Sequence, residues 1–468
     1  MKKLFLTVLF LSTTSLFFAQ SNVSVVSSTG NSNAVLVNQT GLTNGSDVLQ
    51  LGDDNSADVT QTGDNNLSDV DQTGDRNTEI ASQIGDGNGN TQSQSGDDNS
   101  AMAAQTGDAN ASTQTQVGDN NSGDVTQSGN NNVAVETQIG DGNLAQANQT
   151  GNFNTGTQSQ VGDNNDAYID QLGDFNVATQ NQIGDDNYAY AEQYGNFNTS
   201  NQTQTGNNND AYVYQGETFN NATQTQTGND NFAISFQNDL STGGSNISIQ
   251  NQTGNNNNAS VDQGLNYAFQ NVATQFQNGN SNNADAYQTG NNNRSIEVQV
   301  GNTNDSEVDQ IGDDNQSGVG AVPNPPASYP AFGQYGDDNV AKTTQTGDRN
   351  FSGIYQEGDR NDGSVMQLGN DNQAGIMSIG DDNHAALTST GDLNINAAIQ
   401  LGDNNMVDAD QIGDGNLSVA FQDGDSNTVL SMQQGNSNFS TTSQTGMGHS
   451  NTVNQIGNSN SSIVNQSN

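Results

Sequence analysis

The sequence predicts an all-β fold, a β-solenoid whose coils run strand–turn–strand–turn over about 22 residues, two 11-residue half-repeats to a coil. Three observations predict it. Glycine recurs at 30, 41, 52 and every eleventh position to 206, again at 279, 290, 301 and 312, and again from Gly336 to Gly457. The residues between these glycines alternate with the two-residue period of a strand. A longer period of 22 separates like from unlike half-repeats.

The composition agrees with such a fold and excludes most others. Only 29% of the 468 residues are hydrophobic and 6% aromatic, with no Trp and no Cys. So little apolar matter cannot fill an ordinary globular core, and with this much charge it normally signals disorder. Disorder, however, needs neither strict register nor glycine at every eleventh place. A helical eleven-residue repeat is opposed by the Gly, Asn and β-branched content. Acidic residues number 52 against 7 basic, which makes nucleic acid an improbable partner. The lack of Cys removes disulfides, thiolate metal sites and Cys nucleophiles together.

Taken in order, Met1-Lys2-Lys3, an apolar run from Leu4 to Leu11 and a small residue at Ala19 read as a signal peptide over residues 1–19. The run is too short to span a bilayer, which takes about 20 residues, and no later stretch is apolar enough. No transmembrane segment is expected, and the mature chain is expected outside the cell. Residues 20–315 and 336–468 form the two stretches of repeats. Irregularity is expected at 215–278, with a one-residue slip at Gln215-Gly216 and a break over Asn238–Gly244. All four Pro fall between Pro323 and Pro330, in an insertion spanning 316–335. Proline cannot donate to a β-ladder, so it is confined there.

Within one half-repeat, Ala57, Val59 and Gln61 share one side of a strand, and Ser56, Asp58 and Thr60 the other. The usual frame is Gln-x-Gly-x-x-Asn, as in Gln72, Gly74 and Asn77, then Gln83, Gly85 and Asn88. Gly-x-x-Asn is expected to turn the chain, with Gly accepting positive φ and Asn tolerating the left-handed region. The 22-residue period appears at the fourth residue after each Asn. Val59, Ala81, Ala103 and Val125 form one series; Val70, Gln92, Gln114, Glu136 and Gln158 form the other. Stacked coils therefore place like over like, and amides hydrogen-bond along the stack as in a steric zipper. Roughly 20 coils at about 4.8 Å give a rod on the order of 95 Å.

The run Gln138-Ile139-Gly140-Asp141-Gly142-Asn143-Leu144-Ala145-Gln146-Ala147-Asn148-Gln149 resembles a curlin repeat, in which Gln138, Gly140, Gly142, Asn143, Ala145 and Gln149 fill the motif. Gln411, Gly413, Gly415, Asn416 and Gln422 fill it again, with Ser418 in place of Ala. Elsewhere the second Gly is usually Asp, Asn, Phe or Arg. The resemblance implies a secreted structural subunit of curli-like fibres (a pilus- or fimbrium-like functional amyloid) that serves cell adhesion and biofilm matrix. It also implies self-assembly as a fibre homopolymer, nucleation on a curli-type partner and export through a dedicated outer-membrane secretion pore.

No enzyme is expected. His384 and His449 are isolated, and neither a phosphate loop, a dinucleotide fingerprint nor a zinc spacing occurs. No catalytic, cofactor-binding or metal site is assigned. Asp53, Asp75, Asp97, Asp119, Asp141, Asp163 and Asp185 step by 22 and stack on one edge. They are read as a solvated edge that slows premature clumping. The alternative is a monomeric extracellular solenoid that binds Ca²⁺ through such ladders, or ice. Residues 21–46 carry no charge, and 426–468 none apart from His449. Neutral, uncapped terminal coils are expected to template further strands.

Overall fold

The computed structural model describes residues 21–237, 244–264, 268–318 and 333–468. These hold 40 strands and no helix. The predicted signal peptide and the prolines lie outside the described residues, as does all of the 238–244 break but Gly244.

Successive strands alternate between two parallel sheets of 21 and 19 strands. Val23–Thr29 opens the first and Ala34–Thr40 the second. Each strand pairs in register with the strand one coil on, so Ser56 to Thr62 lie beside Thr78 to Ile84 at a constant offset of 22. Most strands are seven residues long, and their second, fourth and sixth residues face inward. In Ser56–Thr62 these are Ala57, Val59 and Gln61, all buried. Small side chains and flat amides let the sheets approach, so the chain needs few large apolar residues.

The inter-sheet filling changes along the rod. Val48, Ala57, Val59, Val70 and Ala81 form an aliphatic cluster at the start. In the middle, Val125, Ala147, Ile169 and Ala191 of the second sheet face a column of amides from the first. Beyond the insertion the fill is aliphatic again, with Ile354, Ile376 and Leu387 in one cluster.

The ladders absorb every irregularity. At the Gln215-Gly216 turn the coil keeps its length, because Asn198 and Asn220 still stack 22 apart. The glycine moves, not the chain, and Glu217 takes the vacated place at φ 57. Further on, Asn221 pairs with Ile247 at an offset of 26, and Ile247 with Val272 at 25. Across the insertion Asp305 pairs with Val340 at an offset of 35. Its flanks, Gln316–Ser317 and Gly333–Tyr335, are two pieces of one rung that both pair with Phe351–Glu357.

The turns depart from expectation. Two of their residues have positive φ: the glycine (119° at Gly74, 121° at Gly85) and the residue just before the Asn, not the Asn itself. That second place holds Arg76 at 60°, Phe175 at 60° and Leu393 at 63°. Gly142 and Gly415, the second glycines of the curlin-like motif, occupy it at 69° and 66°. Asn is required for its side chain instead.

Candidate functional site

The sixth residue of each strand builds a glutamine ladder along the rod in each sheet. In the first sheet, Gln72 Nε2 donates to Gln94 Oε1 at 3.1 Å and to the carbonyl of Ser56 in the other sheet at 3.0 Å. Gln138 repeats this with Gln160 at 3.0 Å and the Ser122 carbonyl at 3.0 Å. In the second sheet, Gln83 bonds Gln105 at 2.9 Å and Leu67 at 2.9 Å, and Gln149 bonds Gln171 at 2.9 Å and Val133 at 2.9 Å. Gln411 and Gln422 do the same, with Gln433 and Gln444 each at 3.0 Å. Each amide thus spends one N–H along the stack and one across the sheets, which meets the demand that buried polar groups be paired.

Asparagine closes the turns with the opposite polarity. The main-chain N–H of Asn77 donates to Asn55 Oδ1 at 2.9 Å, while its Nδ2 donates to the carbonyl of Gly96 at 2.7 Å. Asn88 and Asn143 repeat the pattern. In Asn416 the main-chain N–H and Nδ2 both donate to Asn394 Oδ1, at 3.0 and 3.1 Å. Ala145 beside these turns is fully buried. The first turn glycine lies so close to the next coil that a Cβ on Gly140 would sit 2.1 Å from the Gly162 carbonyl oxygen, and one on Gly413 2.3 Å from that of Gly435.

The aspartate column is more than a solvated edge. The main-chain N–H of Asp53 donates to Asp75 Oδ1 at 2.8 Å, that of Asp75 to Asp97 at 2.8 Å and that of Asp141 to Asp163 at 2.9 Å. Each carboxylate therefore caps an N–H of the preceding coil. Asn207 and Asn229 continue the column with the same bond, so it needs a side-chain acceptor and not a charge. Among the described residues no group of three or more His, Asp or Glu converges as a metal site.

Two further ladders were not anticipated. Phe153, Phe175, Phe197 and Phe219 stack face to face at 4.8, 4.9 and 5.0 Å along one turn edge. Their regular 22-residue spacing was a visible signal. The basic residues also pair along the stack: Arg76 with Asp98 at 2.6 Å, Arg349 with Asp371 at 2.7 Å and Arg360 with Asp382 at 2.7 Å.

Both glutamine ladders fault in one coil. Ser378 and Ser389 replace Gln there, donating to Gln400 at 2.9 Å and Gln411 at 3.2 Å. The aliphatic cluster around Ile376 and Leu387 fills the same coil.

These features define the class: a two-sheet parallel β-solenoid knit by Gln, Asn and Asp ladders in a 22-residue register. Eight segments match the curlin associated repeat, at residues 30–63, 52–85, 118–151, 140–173, 162–195, 336–362, 358–391 and 402–430, and the chain is a member of the curlin-repeat family. Every match begins on a turn glycine, so the matches share the register of the turns. No curated protein matches the chain.

Proposed function

We propose that the chain is a secreted subunit that adds end to end into curli-type amyloid fibres, for adhesion and biofilm matrix at the cell surface. A nucleating partner and an outer-membrane secretion pore complete the proposal. One observation carries it: the glutamine ladders of both sheets run in a single direction. Each Gln offers Nε2 to the following coil and Oε1 to the preceding one. A leading coil is therefore the complement of a trailing coil, which is the geometry of an open, head-to-tail filament.

The terminal rungs fit this reading. Val26 faces inward at 49% exposure, whereas Val48, its partner one coil on, is at 0%. Gln50 Oε1 is buried without a donor, because Ser28 stands where a preceding Gln would. A stacked second copy would cover the first and bring amides to this end. The curlin repeats and the predicted signal peptide support export and assembly outside the cell.

The test is renaturation from denaturant with time-resolved thioflavin fluorescence and fibre diffraction. Fibres with reflections near 4.8 and 10 Å are expected. A chain lacking the uncharged residues 426–468 is expected to elongate poorly. A renatured chain that stays monomeric indefinitely, or truncated chains that grow as the full chain does, would overturn the proposal.

A further inference from the structure

The interior holds carboxyl groups that self-assembly does not explain. Glu79, Glu136 and Glu297 are each at most 3% exposed, and no Lys or Arg is buried among the described residues. Glu136 is the most informative, because it stands in a ladder of amides. This second column of the first sheet begins with Gln92 donating to Gln114 at 2.8 Å, and Gln114 Nε2 donates to Glu136 Oε2 at 2.8 Å. It resumes with Gln158 donating to Gln180 at 3.0 Å and runs on through Gln202, Gln224, Gln250 and Gln275 to Glu297.

Between Gln92 and Gln275 the column fails at one step, from Glu136 to Gln158, which are paired rungs. Two buried oxygens are left there without a donor: Glu136 Oε1 and Gln158 Oε1. In every other step the first rung supplies an N–H to a side-chain oxygen of the second. A carboxylate has no hydrogen to supply, whereas a carboxylic acid has one.

We propose that Glu136 is a proton-binding rung: the folded chain takes up a proton on Glu136 Oε1 and donates it to Gln158 Oε1, so that coil closure is coupled to pH.

The surroundings agree. Gly123 stands opposite, where the second sheet usually places Ala, and a Cβ there would lie 2.7 Å from Glu136 Oε2. On the paired strands Ala111–Val117 and Thr155–Val161 there is no titratable side chain. Of the facing strands, Leu144–Thr150 and Ser100–Thr106 have none, and Ser122–Ser128 has Asp124, half-buried on its outward side. Nothing positive faces Glu136, and Asp124 adds repulsion to the cost of burial. Burial first and Asp124 last raise the Glu136 carboxyl from an ordinary 4.5 to about 8, against the opposing Gln114 bond.

The sign of the coupling follows. Below pH 4.5 folded and unfolded chains both carry the proton, and its full stabilisation is present. Between 4.5 and about 8 only the folded chain keeps it, so stability falls as pH rises. Above that window the stabilisation is gone. Acidification thus favours closing this coil, and alkali opposes it.

The inference goes beyond fibre assembly and is tested apart from it, on β-structure in dilute chain. Denaturant midpoints by circular dichroism are compared for the natural chain and Glu136→Gln. Contributions of Glu79, Glu297 and the surface acids are common to both and cancel. The folding constant of Glu136→Gln relative to the natural chain is expected to be flat below pH 4.5 and to rise about tenfold per pH unit up to about 8. A second readout needs no variant to fold well: infrared spectra of the natural chain near neutral pH should contain the carbonyl stretch of a protonated acid, diminished in Glu136→Gln. A pH-independent ratio, or folded natural chain without that band, would overturn the proposal.

Discussion

At the scale of the residue, two positive-φ places in the turn, separated by one residue, obey different rules. In the regular turns the first is glycine, and the reason lies in the next coil. A Cβ on Gly74 would sit 2.0 Å from the carbonyl oxygen of Gly96, a backbone atom that cannot move aside without breaking its own ladder. The second place faces solvent and tolerates Leu393, 62% exposed at φ 63. A bulky side chain there costs about 1–2 kcal/mol of backbone strain, against which glycine loses about 0.5–1 kcal/mol of unfolded-chain entropy. Gly74→Ala is therefore expected to destabilise by at least ~2 kcal/mol, while Leu393→Gly leaves the denaturant midpoint unchanged or raises it. Equal losses in the two variants would refute the distinction. The first rule was legible in the sequence as long runs of glycine at every eleventh position. The second was hidden, because Arg76, Phe175, Thr303 and Leu393 share no preference for left-handed backbone. The occasional glycine there, as at 87, 142, 415 and 448, and the frequent Asp and Asn, as at Asp54, Asn65, Asp98 and Asn120, hinted at it.

At the scale of the element, a strand is held by what its inward amide does at both ends. Gln149 accepts from Gln127 at 2.8 Å, donates to Gln171 at 2.9 Å, and crosses to the Val133 carbonyl at 2.9 Å. Gln149→Leu keeps the size and removes all three bonds, which leaves Gln127 a buried donor and Gln171 a buried acceptor without partners. A cost of about 2–4 kcal/mol is expected, since each unpaired buried group forfeits about 1–3 kcal/mol. Gln466 lies in the last rung, accepts from Gln444 and donates only to Ser450, so Gln466→Leu should cost much less. Denaturant midpoints decide the matter, and equal costs would mean that the ladder adds nothing beyond side-chain volume. Alternation and the 22-residue period made the inward Gln readable from sequence, because burial on one face forces a period of two. The Asp and Asn columns were less readable. Their acceptors serve N–H groups 22 residues away, a contact that no local pattern encodes. Likewise, Glu136 was visible as an exception among glutamines, but its need for a proton emerges only from complete burial and an unmet acceptor on Gln158.

At the scale of the molecule, the rod balances ladder bonds against its own charge. A net charge of −45 is laid out in columns whose members repeat once per coil. Two carboxylates about 4.8 Å apart repel by roughly 0.9 kcal/mol in water, and each column adds many such steps. Their role as acceptors for the preceding coil's N–H groups offsets this within a chain, while repulsion between whole rods is not offset. The neutral stretch 426–468 is where another chain meets least repulsion, so growth is expected to be steered to rod ends and away from rod sides. Salt separates these effects. The screening length falls from about 30 Å at 0.01 M to about 8 Å at 0.15 M. Elongation should accelerate over that range, and side-by-side bundling should rise more steeply, because it brings the long acidic columns together. If charge acts by screening alone, sodium and calcium salts matched in ionic strength should give the same elongation rate, and a chelator should change nothing. The measurement is thioflavin growth kinetics with light scattering for bundling. A calcium-specific acceleration reversed by chelation would instead mean that the aspartate columns bind the ion.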